Sequence, residues 1–111
     1  MADKIKLVQG DTGPQLQLTL TDEATGLPID LTGATVTMKF REAGSETTLF
    51  TRTAWINSET AVNGLCVIYW LTGNLDVEPG SYEGELEVVF QDAMRQTVYD
   101  LLKFTLRADF N

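Results

Sequence analysis

The 111-residue sequence contains no histidine and a single cysteine, Cys66. Histidine is the commonest general base and the commonest transition-metal ligand, so its absence excludes a Ser–His or Cys–His nucleophile. One cysteine cannot form an intrachain disulfide, and without a partner thiol or imidazole we expect no redox role. Because Cys66 lies in the apolar string LCVIYW, we expect it to be a small buried side chain.

Long apolar runs and clustered cations are also missing. No stretch approaches the roughly 20 apolar residues of a bilayer span, and the N-terminal MADKIKL lacks the order of a signal peptide. We therefore expect no membrane partner and synthesis in a cytoplasm. Eight Lys and Arg against sixteen Asp and Glu give a formal charge of −8. Because the cations are scattered along the sequence, we expect no nucleic-acid partner.

What is present indicates one folded domain, residues 1–111. Hydrophobic residues make up 43% of the chain and charged residues 22%, which is typical of globular proteins. At this length a chain buries about 65% of its unfolded surface and needs no disulfide or metal to fold. No internal repeat or low-complexity linker divides the sequence.

Alternation of apolar and polar residues predicts β-strands through most of the chain. Leu16, Leu18 and Leu20 alternate with Gln and Thr, and residues 34–41 and 82–90 continue the same period. Further strands are predicted at residues 4–9, 47–54, 65–71 and 96–107. Turn residues separate them, and no convincing amphipathic helix appears. The predicted fold class is therefore all-β, an immunoglobulin-like sandwich of about seven antiparallel strands.

The last two strands allow a prediction of register. If Phe90 pairs with Gln96, then Glu83 falls opposite Lys103, which eases repulsion among the glutamates of that strand. Asp100 then lies on the apolar face. The sequence indicates either a bulge at this point or a partner for the Asp100 carboxylate.

Asp and Glu are the remaining residues that could support catalysis or bind a metal ion. Asp22 with Glu23, or Asp76 with Glu78, would be paired acids, but adjacent strand residues point to opposite faces and loop acids usually form turns. A calcium site is chemically more reasonable, although no dense D-x-D-x-D spacing is present. Its candidate ligands are Asp11, Asp30, Asp76 and Glu78. We expect turn formation here, and therefore no enzymatic activity, metal or cofactor.

Two sets of side chains are candidate interaction surfaces. Glu83, Glu85 and Glu87 form an acidic ladder, which is either a solvated sheet face or a docking surface for a basic patch. The aromatic candidates, which are either core residues or interface anchors, are Phe50, Trp55, Tyr69 and Trp70. Because strand neighbours point to opposite faces, one residue of Tyr69-Trp70 and one of Leu49-Phe50 must leave the core face.

The ordered strings GDTGP, TDEATGLPIDLTGATVTMKF and NGLCVIYWLTGNLDVEPGSYEGELEVVF resemble the N-terminal immunoglobulin-like domain of phage baseplate upper proteins and related small phage tail and neck proteins. The resemblance covers nearly the whole chain. It implies a virion protein, assembled in the bacterial cytoplasm, that contacts other virion structural proteins in a homo-oligomeric, symmetric assembly. In that family a receptor-binding or linker portion follows the domain, whereas this sequence stops after it. We therefore expect a stand-alone tail, neck or head-decoration subunit.

The alternative is a carbohydrate- or cell-surface-binding β-sandwich. Such a module would use Trp55 or Tyr69 as a platform on which a sugar ring stacks.

Overall fold

A computed structural model, which describes residues 5–13, 15–22, 24–98 and 101–109, consists of two facing β-sheets. The strands in chain order are β1 (Ile5–Val8), β2 (Leu16–Thr19), β3 (Thr35–Glu42), β4 (Thr48–Thr53), β5 (Leu65–Ile68), β6 (Gly80–Val89), β7 (Arg95–Thr97) and β8 (Leu102–Arg107). A 3-10 turn, Ala61–Asn63, precedes β5. No helix within the described ranges has the length and apolarity needed to cross a membrane.

The large sheet has the strand order β1-β8-β6-β3-β4. Strand β7 also pairs with β6, near the C-terminal end of β6, and the small sheet pairs β2 with β5. The predicted all-β sandwich is confirmed. One pair departs from the predicted antiparallel arrangement, because β1 runs parallel to β8, with Ile5 opposite Phe104. Parallel strands need a long connection, and here the rest of the domain supplies it.

The core lies between the two sheets and is centred on Phe40 of β3. The Phe40 ring stacks on those of Phe50 and Tyr82, at centroid distances of 4.7 and 5.1 Å, and contacts Trp70 and Phe104. The predicted alternation is confirmed in β3 and β6. Their buried side chains are Val36, Met38, Phe40, Tyr82, Leu86 and Val88. Every second residue of these strands faces the core because side chains alternate across a sheet.

The predicted C-terminal strand, residues 96–107, is two strands with different registers against β6. Glu83 lies opposite Lys103, as predicted. The predicted pairing of Phe90 with Gln96 is wrong, because the Phe90 amide donates to the Met94 carbonyl at 2.7 Å. The turn after Phe90 is therefore two residues tighter than the sequence pattern indicated.

The change of register takes place between Val98 and Leu102. The Val98 amide donates to the Leu86 carbonyl, whereas Leu102 lies opposite Gly84. The registers of the two strands against β6 therefore differ by two residues. Asp100 lies outside the described residues, so the two explanations offered for it remain predictions.

Tyr82, near the start of β6, carries a structural role that the strand pattern alone did not indicate. Its hydroxyl donates to the carbonyl of Glu78, four residues upstream. This is the tyrosine corner of immunoglobulin-like sandwiches. Burial, followed by the charges of Glu42 and Glu78, raises the pKa of the Tyr82 hydroxyl. A tyrosine directly after the loop EPGS was the available signal.

Cys66 faces the core from β5 and is 1% exposed, as expected. Burial raises the pKa of its thiol to about 11. Because only the thiolate is nucleophilic, we expect an aromatic disulfide reagent at about pH 8 to leave native Cys66 unmodified and to label it in denaturant. Absorbance of the released thiolate measures this. Native labelling at the rate of a free cysteine would contradict the buried position.

Candidate interaction surface

The outer face of the small sheet is apolar. Strand β5 turns Cys66 and Ile68 to the core, which leaves Leu65 and Val67 on the outer side and Tyr69 just past the strand. Trp55 bridges Val67 through two backbone hydrogen bonds of 2.7 and 2.9 Å, which extends this face by one position. We call Trp55, Leu65, Val67 and Tyr69 the β5 platform.

About half of each aromatic side chain of the β5 platform is accessible. Trp55 is 53% exposed and Tyr69 is 42% exposed, while Leu65 and Val67 are partly buried between them and β2. Trp55 and Tyr69, two of the four aromatic candidates, therefore lie on the same exposed sheet face. A half-exposed tryptophan or tyrosine offers a large apolar surface with a polar tip, which suits a contact.

Polar groups border the β5 platform on two sides. Gln17 of β2 lies opposite Val67, and Thr19 lies opposite Leu65. A shallow depression of about 200 Å³ beside Trp55 is lined by the side chains of Gln17, Asn57 and Thr60. An apolar centre with amide and hydroxyl groups around it is the usual composition of a protein interface.

The backbone next to the platform is held by a cross-sheet hydrogen bond. Arg52 belongs to β4 of the large sheet, and its Nε donates to the carbonyl of Tyr69, just past β5 of the small sheet, at 2.7 Å. The Leu71 amide donates to Asn74 Oδ1 at 2.7 Å in the following turn. Because a hydrogen bond to a charged group is stronger than a neutral one, Arg52 fixes the position from which the Tyr69 side chain projects.

The other two aromatic candidates, Phe50 and Trp70, belong to the core. Trp70 is 5% exposed and meets the Phe40 ring edge-on at 5.7 Å. Phe50 is half-buried against Phe40, while its neighbour Leu49 is 47% exposed at a change of register between β3 and β4. The structure therefore removes Phe50 and Trp70 from the interface candidates, because packing in the core uses the faces that a partner would need.

The acidic ladder lies on the outer face of the large sheet, but it is not an excess of negative charge. Two of the glutamates form ion pairs with a cation of a neighbouring strand, Glu83 with Arg41 and Glu87 with Arg95, and Glu85 lies opposite Lys39 in the strand register. Arg41 Nε lies 3.2 Å from Glu83 Oε1, and Arg95 Nε lies 3.8 Å from Glu87 Oε2. The ladder therefore lacks the uncompensated charge that docking onto a basic patch requires.

The candidate calcium ligands do not converge on one point. Asp30 accepts hydrogen bonds from the amide and the hydroxyl of Thr32, at 3.0 and 2.6 Å, and these bonds hold the pKa of Asp30 below its usual value. Asp76 and Glu78 line a separate cleft. In the described part of the chain, no group of three or more His, Cys, Asp or Glu side chains could hold a metal ion. Glu23, considered above as a partner of Asp22, lies outside that part.

Comparison with known proteins bears on the fold. A scan against protein-family models finds no match, and a search of curated proteins finds no match either. The crystal structure of CopC from Methylosinus trichosporium OB3b is similar, with a TM-score of 0.55 and 11% sequence identity over 99% of this chain and 89% of that chain. Identity at this level shows the fold alone, and so the comparison and the strand order agree that the chain is a β-sandwich.

Proposed function

We propose that the chain is a non-enzymatic structural subunit that acts through protein–protein contacts, and that the β5 platform is one of its contact surfaces. The exposure of Trp55 and Tyr69 on the same apolar sheet face is the observation that carries this proposal. Interface energy is concentrated in a few buried aromatic anchors surrounded by polar residues, and the platform has that composition.

The exposed area of the two aromatic side chains sets the scale of the contact. Trp55 and Tyr69 are 53% and 42% exposed, so together they offer roughly 200 Å² of surface. Burying that area contributes about 5 kcal/mol, which is similar to the lower range of the cost of associating two proteins. The anchors alone therefore do not hold a complex together, and Leu65 and Val67 with the polar border must contribute.

We place this subunit in the virion of a tailed phage or prophage, as a tail, baseplate, neck or head-decoration protein. The support is the resemblance of the turn and strand strings to the immunoglobulin-like domain of phage baseplate upper proteins. The sandwich fold implied by that resemblance agrees with the strand order described above. Partners are then other virion proteins and further copies of the chain.

Replacing both Trp55 and Tyr69 by alanine should weaken partner binding at least 100-fold, because each removes an anchor worth about 2 kcal/mol or more. The double variant should still fold but lose about 2–3 kcal/mol of unfolding free energy, because roughly half of each side chain is buried against the sheet. The measurement is copurification with the products of the neighbouring genes, coexpressed one at a time, followed by titration of the complex obtained.

The matched control is Met94→Ala, because Met94 is a comparably exposed apolar residue, 66% accessible, in the turn between β6 and β7 of the large sheet. This variant should bind as the wild type does. Equal binding by the double variant would show that the β5 platform is not the contact surface. Neighbouring genes that encode only metabolic enzymes would contradict the virion assignment.

Carbohydrate binding is the second candidate function. It is favoured by the depression beside Trp55, where the amides of Gln17 and Asn57 lie next to an exposed indole ring. Sugars are bound by such a combination of an aromatic face and amide hydrogen bonds. A glycan array separates the two functions, because a monomer that retains specific glycans and loses them in Trp55→Ala would support the second.

A further inference from the structure

The large sheet gathers most of the chain's cations on its outer face. Strand register and period-two alternation place six of the eight Lys and Arg residues there: Lys6, Lys39, Arg41, Arg95, Lys103 and Arg107. Along the sequence these residues are spread over most of the chain, which is why their clustering was not predicted. We call this surface the cationic face.

Positive charge exceeds negative charge on the cationic face. The strands contribute the three glutamates of the acidic ladder, and five cations remain even when Arg107, which donates to the Ala108 carbonyl, is left out. Lys39 and Lys103 are exposed, and neither has a carboxylate within 4 Å in the described part of the chain. A chain of formal charge −8 therefore carries a net positive sheet face.

The opposite charge is found at one end of the sandwich. Glu42, Asp76 and Glu78 line a cleft of about 420 Å³, whose remaining wall includes Leu49 and Tyr82. We call it the end cleft. Lysine and arginine are missing from its lining among the described residues. Leu49 is 47% exposed there, so an apolar contact is available next to the carboxylates.

We infer that the cationic face is a docking surface for the end cleft of a second copy of this chain, so that copies join head to tail. The inference rests on the proposed structural role and adds the partner and the orientation of a second contact. Two copies that are each strongly acidic repel at long range, and complementary patches overcome this repulsion and fix the orientation. A contact between two different surfaces of one chain generates rings or filaments.

The size and pattern of the cationic face fit a protein partner. Five neighbouring strands make a face roughly 20 Å wide and, along the ten residues of β6, roughly 30 Å long. One partner in a standard interface contributes about 800 Å², which is comparable. The glutamates between the lysines repel a continuous phosphate backbone, so the face favours the discrete carboxylates of another copy over nucleic acid.

Sedimentation velocity on the whole chain tests this inference at low and high salt, about 0.02 and 0.5 M NaCl. The face variant is K39E/K103E and the cleft variant is E42K/E78K. We expect the wild type to form concentration-dependent oligomers at low salt that weaken at least tenfold at high salt. Each variant alone should be monomeric. An equimolar mixture should regain association, because the intact face of the cleft variant can bind the intact cleft of the face variant.

Glu59→Lys is the control, since it makes a charge reversal of the same sign away from the end cleft, and it should associate as the wild type does. Should K39E/K103E fail to fold, K39Q/K103Q removes the same two charges and is expected to weaken association at least fivefold. A wild type that is monomeric at both salt concentrations, or a mixture of variants that stays monomeric, would overturn the inference.

Three further outcomes separate this inference from its alternatives and from the proposed function. Binding of a single-stranded oligonucleotide to the cationic face, with no association of copies, would assign the face to a polyanion and overturn the inference. A wild type that binds a neighbouring gene product through Trp55 and Tyr69 but never associates with itself would overturn the inference alone. Self-association without any effect of Trp55 and Tyr69 on partner binding would contradict the proposed role of the β5 platform alone.

Discussion

Replacing Phe40 by alanine should lower the free energy of unfolding by about 3–5 kcal/mol, a large part of the 5–15 kcal/mol typical of a domain. Phe40 is fully buried, and the rings of Phe50, Tyr82, Trp70 and Phe104 lie within 5.7 Å of its centroid. These rings come from several strands of the large sheet and from the chain beyond β5. The cavity left by the substitution therefore has walls on both sheets, and neither sheet can close it by a local shift.

Chemical denaturation followed by tryptophan fluorescence measures the effect, because Trp70 packs against the ring that is removed. Phe40→Leu fills part of the cavity and should lose less than about 2 kcal/mol. Phe50→Ala, on the half-buried rim of the same cluster, should lose about 1–2 kcal/mol. If Phe40→Ala were no more destabilising than Phe50→Ala, the assignment of Phe40 as the centre of the core would be wrong.

The alternation of apolar and polar residues predicts which side of a strand faces the core, but not the direction and register of every strand. Alternation in β3 and β6 predicts the core side of each strand, because a slip of one residue would expose the whole apolar set. It does not indicate that β1 runs parallel to β8, since β1 is a short edge strand whose few residues fit either direction. Alternation also does not give the difference in register between β7 and β8, which appears only in their pairing with β6.

The candidate surface was only partly predictable for a related reason. The sequence shows that Tyr69 and Trp70 face opposite sides of the strand. It also indicates that Trp70 is the buried one, because Trp70 follows Cys66 and Ile68 at intervals of two residues and both of these face the core. The bridge from Trp55 to Val67 depends on how the chain crosses between sheets, and no local pattern specifies it.

The cationic face was hidden from the sequence because its members are far apart along the chain. Lys6 and Lys103 come together only when β1 pairs with β8, and Lys39 joins them through β6. Scattered charges in a β-sandwich are therefore weak grounds for excluding a charged surface. Register has to be known first, since every second residue of each neighbouring strand contributes to the same face.

Gly64→Ala should cost about 2–4 kcal/mol of unfolding free energy, far more than an alanine usually costs in a turn. Gly64 has φ of +76°, and a Cβ at this position would lie 2.4 Å from the Leu20 carbonyl oxygen and 3.2 Å from that of Ile29. Both are backbone atoms, so no side chain can rotate away. The Gly64 carbonyl also accepts a 2.8 Å hydrogen bond from the Leu20 amide, which would have to lengthen.

Gly26→Ala is the matched control, because Gly26 has φ of +72° and a Cβ added there would meet no atom within 4 Å. It should lose about 1–2 kcal/mol from the left-handed backbone alone. The difference between the two variants, measured by denaturant unfolding, isolates the steric clash with the backbone. Because Gly64 directly precedes β5, its displacement also moves the β5 platform, and Gly64→Ala should weaken partner binding where Gly26→Ala does not. Equal losses in both variants would mean that the backbone around Leu20 yields, and that the small sheet is held in place by its side chains.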